Sequence, residues 1–198
     1  MPLFTLEGID GSGKSTALNH LQKRLADLTP VFTREPGGTA SGKVMRELIT
    51  SHLSPRAEAL LFAADHAEHI DEIISPALRS GRIVISDRYI DSRYAYQMAT
   101  LDGVVSDPRV WLDDIHHGWT IVPDTTYLLT IPIPIAMTRM NRKIKDHLET
   151  VDLLMKVQDN YLTLAREFSS RFVVIDGTAL GETVAEVIEA DIRRRVSP

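Results

Sequence analysis

Leu3-Phe4-Thr5-Leu6-Glu7-Gly8-Ile9-Asp10-Gly11-Ser12-Gly13-Lys14-Ser15-Thr16 is the stretch whose reading decides the fold. Residues 3–6 form an apolar run of strand length, and Gly8 to Gly13 break it. From Ser15 onward Leu18, Leu21, Leu25 and Leu28 recur at helical spacing. Residues 8–15 therefore match G-x-x-x-x-G-K-[ST] with a strand before and a helix after, the context that gives this pattern its meaning. The glycines let the backbone curl so that successive N–H groups point inward, and the helix N-terminus adds partial positive charge. In such a loop the lysine, here Lys14, reaches the β- and γ-phosphates, and the hydroxyl, here Ser15, ligates Mg²⁺. The segment implies ATP held by Gly8, Ile9, Asp10, Gly11, Ser12, Gly13, Lys14, Ser15 and Thr16.

Outward from this loop, short apolar runs alternate with longer periodic stretches. Strands are expected at residues 31–33, 83–85, 126–131 and 172–175. Helices are expected at 41–51, 55–80, 91–100, 107–117, 136–145, 149–168 and 182–195. Pro55 suits a first helical turn, while Pro132 and Pro134 read as the end of a strand. The alternation predicts an α/β fold, a parallel sheet covered by helices on both faces. Ligands of such sheets bind at the carboxyl ends of the strands. Three polar clusters, at residues 7–15, 34–39 and 87–88, directly follow strands and so share one edge.

Composition bounds the rest. A chain of 198 residues favours one domain, here with a small lid over about residues 136–149. With 43% hydrophobic and 25% charged residues there is enough apolar material for a core. A net charge of −5 argues against a broad grip on nucleic acid or an anionic membrane. The absence of cysteine excludes disulfides and thiolate chemistry. No apolar run approaches the ~18–20 residues that span a bilayer, and the opening residues lack a signal-peptide pattern. A cytoplasmic protein is expected.

The remaining charged residues separate a kinase from a switch or a motor. No Asn-Lys-x-Asp loop for reading guanine is present. The strand at 83–85 ends in Ser86-Asp87-Arg88, so Asp87 can support the metal while Arg88 offers a bidentate anion binder beside it. Arg34-Glu35 adds a further cation over the same edge. A second set of phosphate binders points to a second phosphorylated molecule, a nucleotide monophosphate.

With these residues in place the chain resembles the thymidylate kinases. The blocks at residues 7–16, Thr33-Arg34-Glu35-Pro36-Gly37-Gly38-Thr39, Leu60-Leu61-Phe62-Ala63-Ala64-Asp65, Asp87-Arg88-Tyr89 and Ala95-Tyr96-Gln97 occur in that family's order, followed by Pro123-Asp124-Thr125-Thr126-Tyr127-Leu128. The resemblance implies a three-layer fold with strand order 2-3-1-4-5, a homodimer, and transfer of the γ-phosphoryl of ATP to dTMP with Mg²⁺. It implies that Asp10 meets the deoxyribose 3′-hydroxyl, that Arg34 and Arg88 hold the acceptor phosphate, and that Phe62 stacks on thymine. Glu35 belongs to the same acceptor site, and Tyr96 and Gln97 line its sugar and base pocket. Lys14, Arg88 and Ser15 with Asp87 supply the charge and metal chemistry.

Two departures fall at the base pocket. The family has arginine after Asp65, where it reaches a thymine carbonyl; this chain has His66. Six residues after Asp87 a small polar residue is usual; this chain has Arg93. The expectation is that Arg93 supplies the donor lost at position 66. The phosphate loop also has Gly11 where one subgroup places an arginine, which directs attention to a lid bearing Arg139, Arg142, Lys143 and Lys145 before Asp146-His147-Leu148-Glu149. Arg139 and Arg142 are the expected lid catalysts. The alternatives are a kinase of another nucleotide or of a nucleoside, suggested by His66 and Arg93, and a P-loop regulator without turnover.

Overall fold

The structure is a computed structural model that describes residues 1–49, 53–140, 148 and 150–197. Five strands, β1 (Leu3–Glu7), β2 (Val31–Arg34), β3 (Val84–Asp87), β4 (Thr125–Thr130) and β5 (Phe172–Asp176), form one sheet of order β2-β3-β1-β4-β5. Every pairing is parallel. The parallel direction is that expected from the alternation of strands and helices, and the order is that implied by the family resemblance.

Helix α1 (Lys14–Arg24) and helix α9 (Gly181–Val196) cover one face of the sheet. Leu18, Leu21, Val184 and Ile188 pack there against Phe4, Leu6, Tyr127 and Leu129. On the other face lie α5 (Ile90–Thr100) and α8 (Val151–Glu167), where Ala95, Leu154 and Tyr161 meet Leu128. Leu128 and Leu129 belong to opposite cores, which is the period-two alternation of a strand buried on both sides. Helix α2 (Ala40–Ile49) packs with α3 (Pro55–His69), and α6 (Pro108–His116) packs with α5.

Two local differences from the sequence reading have physical causes. The long helix expected from Pro55 runs as α3, one wider π-type turn at Ile70–Ile74, and α4 (Ser75–Arg79). Pro76 has no N–H to give to the turn before it, and a wider turn is one way a helix passes such a residue. After β4, Pro132 and Pro134 do more than end a strand. They open α7 (Ile133–Arg139), where a first-turn proline gives up an N–H that has no helical partner anyway. The rest of the basic stretch, residues 141–147, lies outside the described residues.

Asp91, in the first turn of α5, is 1% exposed and is gripped by Arg171 just before β5. Arg171 donates to Asp91 Oδ1 at 2.6 Å and to Oδ2 at 2.7 Å, and Thr126 of β4 donates to Oδ2 at 2.7 Å. Among the described residues, no helix is long and apolar enough to cross a membrane.

Candidate active site

The strand register decides where the chemistry gathers. Leu6 of β1 and Arg34 of β2 both pair with Asp87 of β3, so the residues that follow them end level at the carboxyl edge of the sheet. Above this edge opens a cleft of about 840 Å³. Residues 10–16 of the glycine loop line one end of it, and Phe62 and Arg93 stand at the other. Gly8 and Ile9 are not on its wall: Gly8 takes a φ of 137° as the chain leaves β1, and Ile9 is buried in the core.

Lys14 is 5% exposed and turns back on its own loop, donating from Nζ to Gly8 O at 2.8 Å and Ile9 O at 3.0 Å. Burial, then the neighbouring Arg88 cation, lowers its pKa to about 8. Phosphate oxygens arriving in the loop are better acceptors than two carbonyls, and their charge favours the ammonium form.

Arg88 sits at the turn out of β3 with φ at 68°, a left-handed conformation that is uncommon for a side-chain-bearing residue. Its Nη2 donates to Asp10 Oδ1 at 2.6 Å and to Tyr96 Oη at 3.2 Å. Its Nη1 donates to Ser92 Oγ at 3.2 Å and Tyr161 Oη at 3.3 Å. Arg34 reaches the same cleft from the end of β2 and is exposed. Asp87 lines the cleft beside Arg88 and keeps Oδ1 buried, without a hydrogen-bond partner among the described residues. Ser15, exposed in the first turn of α1, lines it too. This pair suits Mg²⁺, a hard cation that takes one or two protein oxygens and fills its remaining positions with phosphate and water.

The far end of the cleft differs from expectation at one residue. Phe62, Arg93, Tyr96 and Gln97 all line it, as does Glu35, but His66 does not. His66 is fully buried behind Glu35, with Nδ1 2.9 Å from Glu35 Oε1, and its ring lies 4.5 Å from that of Tyr89 and 5.4 Å from those of His116 and Trp119. His69 Nδ1 is 2.7 Å from the same carboxylate oxygen. Burial alone would raise the Glu35 pKa, but the two histidines and Arg93 hold it below the usual carboxylate range. His66 is thus a partner of Glu35 and not part of the pocket wall, enclosed by the rings of Tyr89, His116 and Trp119.

Arg93 occupies the wall instead. It is 3% exposed, its guanidinium carbon lies 4.1 Å from the centre of the Phe62 ring, and burial lowers its pKa against the opposing pull of Glu35 and Asp65. Its Nε and Nη1 have no hydrogen-bond partner among the described residues, and neither does Gln97 Oε1. Buried polar atoms are seldom left unpaired. Here two donors and an acceptor stand together at the end of a cleft.

Arg139 is the described member of the expected lid cations. It reaches across to Gly177 O at 2.7 Å, Thr178 O at 3.3 Å and Gly11 O at 3.4 Å. It thereby ties the phosphate loop to the turn after β5. Arg142, Lys143 and Lys145 lie outside the described residues.

That turn is the part of the site the sequence reading omitted. Gly177, Thr178, Ala179, Leu180 and Gly181 form the floor of the cleft beside the phosphate loop. A Cβ on Gly177 would stand 2.6 Å from Ser12 O and 2.9 Å from Thr130 O, so only glycine permits the two loops to approach this closely. The available signal was Asp176-Gly177-Thr178, a polar break placed directly after a strand like the other three clusters.

Comparison with known proteins agrees with this geometry. The family described as thymidylate kinase matches residues 6–188. A probable thymidylate kinase of Methanospirillum hungatei JF-1 is 51% identical over 98% of this chain and 94% of its own. That of Methanoculleus marisnigri is 53% identical over 96% of this chain and 94% of its own. That of Natronomonas pharaonis is 41% identical over 97% of this chain and the whole of its own. A family match across nearly the whole length, on a chain whose sheet order and phosphate loop are those the match requires, leaves one conclusion: the chain belongs to the thymidylate kinase family.

Proposed function

We propose that the two ends of the cleft hold ATP and dTMP head to head, with the phosphate loop and Arg88 between them. The reaction is ATP + dTMP → ADP + dTDP with Mg²⁺, the phosphoryl transfer of this family. The observation that supports the assignment of residues is one cleft lined by the lysine-bearing loop, by Arg34 and Arg88, and by Arg93 and Gln97 with buried polar atoms unpaired among the described residues. Residues 10–16 bind the ATP phosphates, and Gly8 and Ile9 shape the loop from behind. The Gly177 turn, braced by Arg139, forms the floor on which the nucleoside lies. Asp10 meets the sugar of dTMP, Arg34 and Arg88 take its phosphate, Tyr96 closes the sugar side, and Phe62, Arg93 and Gln97 face the base. Glu35 stands behind them as the carboxylate that balances Arg93.

Catalysis rests on positioning and charge, since the transferred phosphoryl group needs little covalent help. Lys14 leaves its carbonyl partners for the β- and γ-phosphates. Arg88, already fixed by four hydrogen bonds, holds the attacking phosphate in line. Arg139 stands against the phosphate loop, and Arg142, in the lid expected over residues 136–149, is assigned with it to the charge that develops during transfer. Ser15 and Asp87 hold Mg²⁺, which when bound neutralises charge on the phosphate oxygens. We further read the chain as one kinase domain, a homodimer and a cytoplasmic protein. Leu60 on α3 and Val110 on α6, 50% and 53% exposed, support an apolar contact surface. The test is ADP release in a coupled assay with dTMP, dUMP, dCMP, dGMP, UMP and thymidine as acceptors. Preference for dTMP is expected. Equal release without any acceptor, or a better rate with thymidine, would overturn the reading.

A further inference from the structure

Glu7, the last residue of β1, is fully buried and has no place in the mechanism above. Its carboxylate nevertheless collects four hydrogen bonds, all from residues beside Arg88. Oε1 accepts from Tyr89 N at 2.8 Å and Ser92 N at 3.3 Å. Oε2 accepts from Ser92 Oγ at 2.5 Å and Tyr161 Oη at 2.8 Å. Ser92 Oγ and Tyr161 Oη are the same two oxygens that receive Arg88 Nη1. Ser92 Oγ and Tyr161 Oη also lie 2.8 Å from each other, and with a proton directed at Glu7 each offers the guanidinium a lone pair. Burial, then the nearby Asp91, raises the Glu7 pKa to about 7, against the pull of Arg88. The carboxylate also holds the amides of residues 89 and 92, which close the turn where Arg88 takes its left-handed φ. A neutral core would do none of this, and burying a carboxylate is costly unless its bonds serve an arrangement.

We infer that Glu7 is a positioning residue for the acceptor phosphate: through Ser92 and Tyr161 it fixes both the backbone turn and the guanidinium of Arg88 in the orientation that receives it. Arg88 touches the substrate, and Glu7 acts only through Arg88. The inference rests on the proposed function, in which Arg88 binds the phosphate of dTMP. It predicts that removing the Glu7 charge weakens binding of the phosphate without affecting the nucleoside.

Glu7→Gln keeps the shape but sets an amide N–H₂ against four donors. Calorimetric titration of dTMP and of thymidine separates the phosphate increment from the rest. In Glu7→Gln the Kd for dTMP is expected to rise about tenfold or more, the scale of one lost charge-assisted hydrogen bond, while the Kd for thymidine stays that of the wild type. In an Arg88→Ala background, the added Glu7→Gln change is expected to leave the dTMP Kd where Arg88→Ala alone put it. Tyr161→Phe, which removes one bridging hydroxyl from a well-packed ring, is a second route to the same outcome with a smaller rise confined to dTMP. Equal weakening of both ligands, an unchanged dTMP Kd in both variants, or a full extra loss in the Arg88→Ala background would overturn the role of Glu7. Wild type binding thymidine as tightly as dTMP would instead overturn the phosphate site itself, and the inference with it.

Discussion

Arg93→Ala tests whether the buried guanidinium on the cleft wall reads the base. Arg93 is 3% exposed and has two buried N–H groups without partners among the described residues. A base carbonyl that pairs with such a donor gains about 1–3 kcal/mol over one left buried and unpaired. Loss of the donor should raise the Kd for dTMP about 5- to 150-fold. The upper half of that range is expected, because two donors are lost together and the ring of Phe62 loses the guanidinium 4.1 Å above it. The same change leaves Glu35 and Asp65 with less compensation, so stability must be measured alongside. Titration calorimetry with dTMP, read against urea unfolding of the same sample, separates the two effects. His66→Ala is the control. Since His66 holds Glu35 from behind the cleft, it should lose stability and shift dTMP affinity less than Arg93→Ala does. If Arg93→Ala binds dTMP as tightly as wild type while His66→Ala does not, Arg93 does not read the base and the reasoning fails.

Lys14→Ala should lower kcat on the order of 10²-fold or more, as removal of a preorganised charge stabiliser does; steady-state turnover near wild type would contradict the phosphate role. Arg139→Ala and Arg142→Ala should each reduce kcat more than they raise KM for dTMP, because cations that meet developing charge act in the transition state; a change confined to KM would remove them from catalysis. Gly177→Ala should weaken ATP binding ahead of dTMP binding, since the added methyl collides with Ser12 O and Thr130 O on the nucleotide side; calorimetry with each ligand decides. His116 has its pKa lowered to about 3 by burial, then by His66 and Arg93. From an unfolded value near 6.5, the stability it lends is complete above that pH and is lost as pH falls towards 3, about 2 kcal/mol by pH 5. Urea midpoints at pH 7 and pH 5 should differ less in His116→Asn than in wild type.

Most of the frame could be read in advance because its signals are local. Residues 3–16 carry strand, loop and helix in one unbroken stretch, and each later strand ends in polar residues that a parallel sheet must bring to one edge. Arg88 reached the cleft for that reason, whereas Phe62, Arg93, Tyr96 and Gln97 lie within helices and were legible only through the family resemblance. Position on a helix face is harder to read. His66 and Arg93 are both polar residues on apolar helices, and only packing shows that one faces Glu35 and the other the cleft. Tyr161 looked like any core aromatic, since nothing in α8 tells that its hydroxyl meets a carboxylate 154 residues away. Pro132 and Pro134 were ambiguous because the same ring ends a strand and opens a helix.

The grip of Arg171 and Thr126 on Asp91 has a consequence for motion. Removing one member of a buried ion pair costs about 3–5 kcal/mol, so the first turn of α5 is riveted to β4 and the entry of β5. Four cleft residues, Ser92, Arg93, Tyr96 and Gln97, ride on that helix. The wall proposed to meet the acceptor is therefore held to the sheet through its own helix, as a fixed jaw. Amide exchange in the opening turns of α5 should then be governed by unfolding of the whole molecule rather than by local fraying.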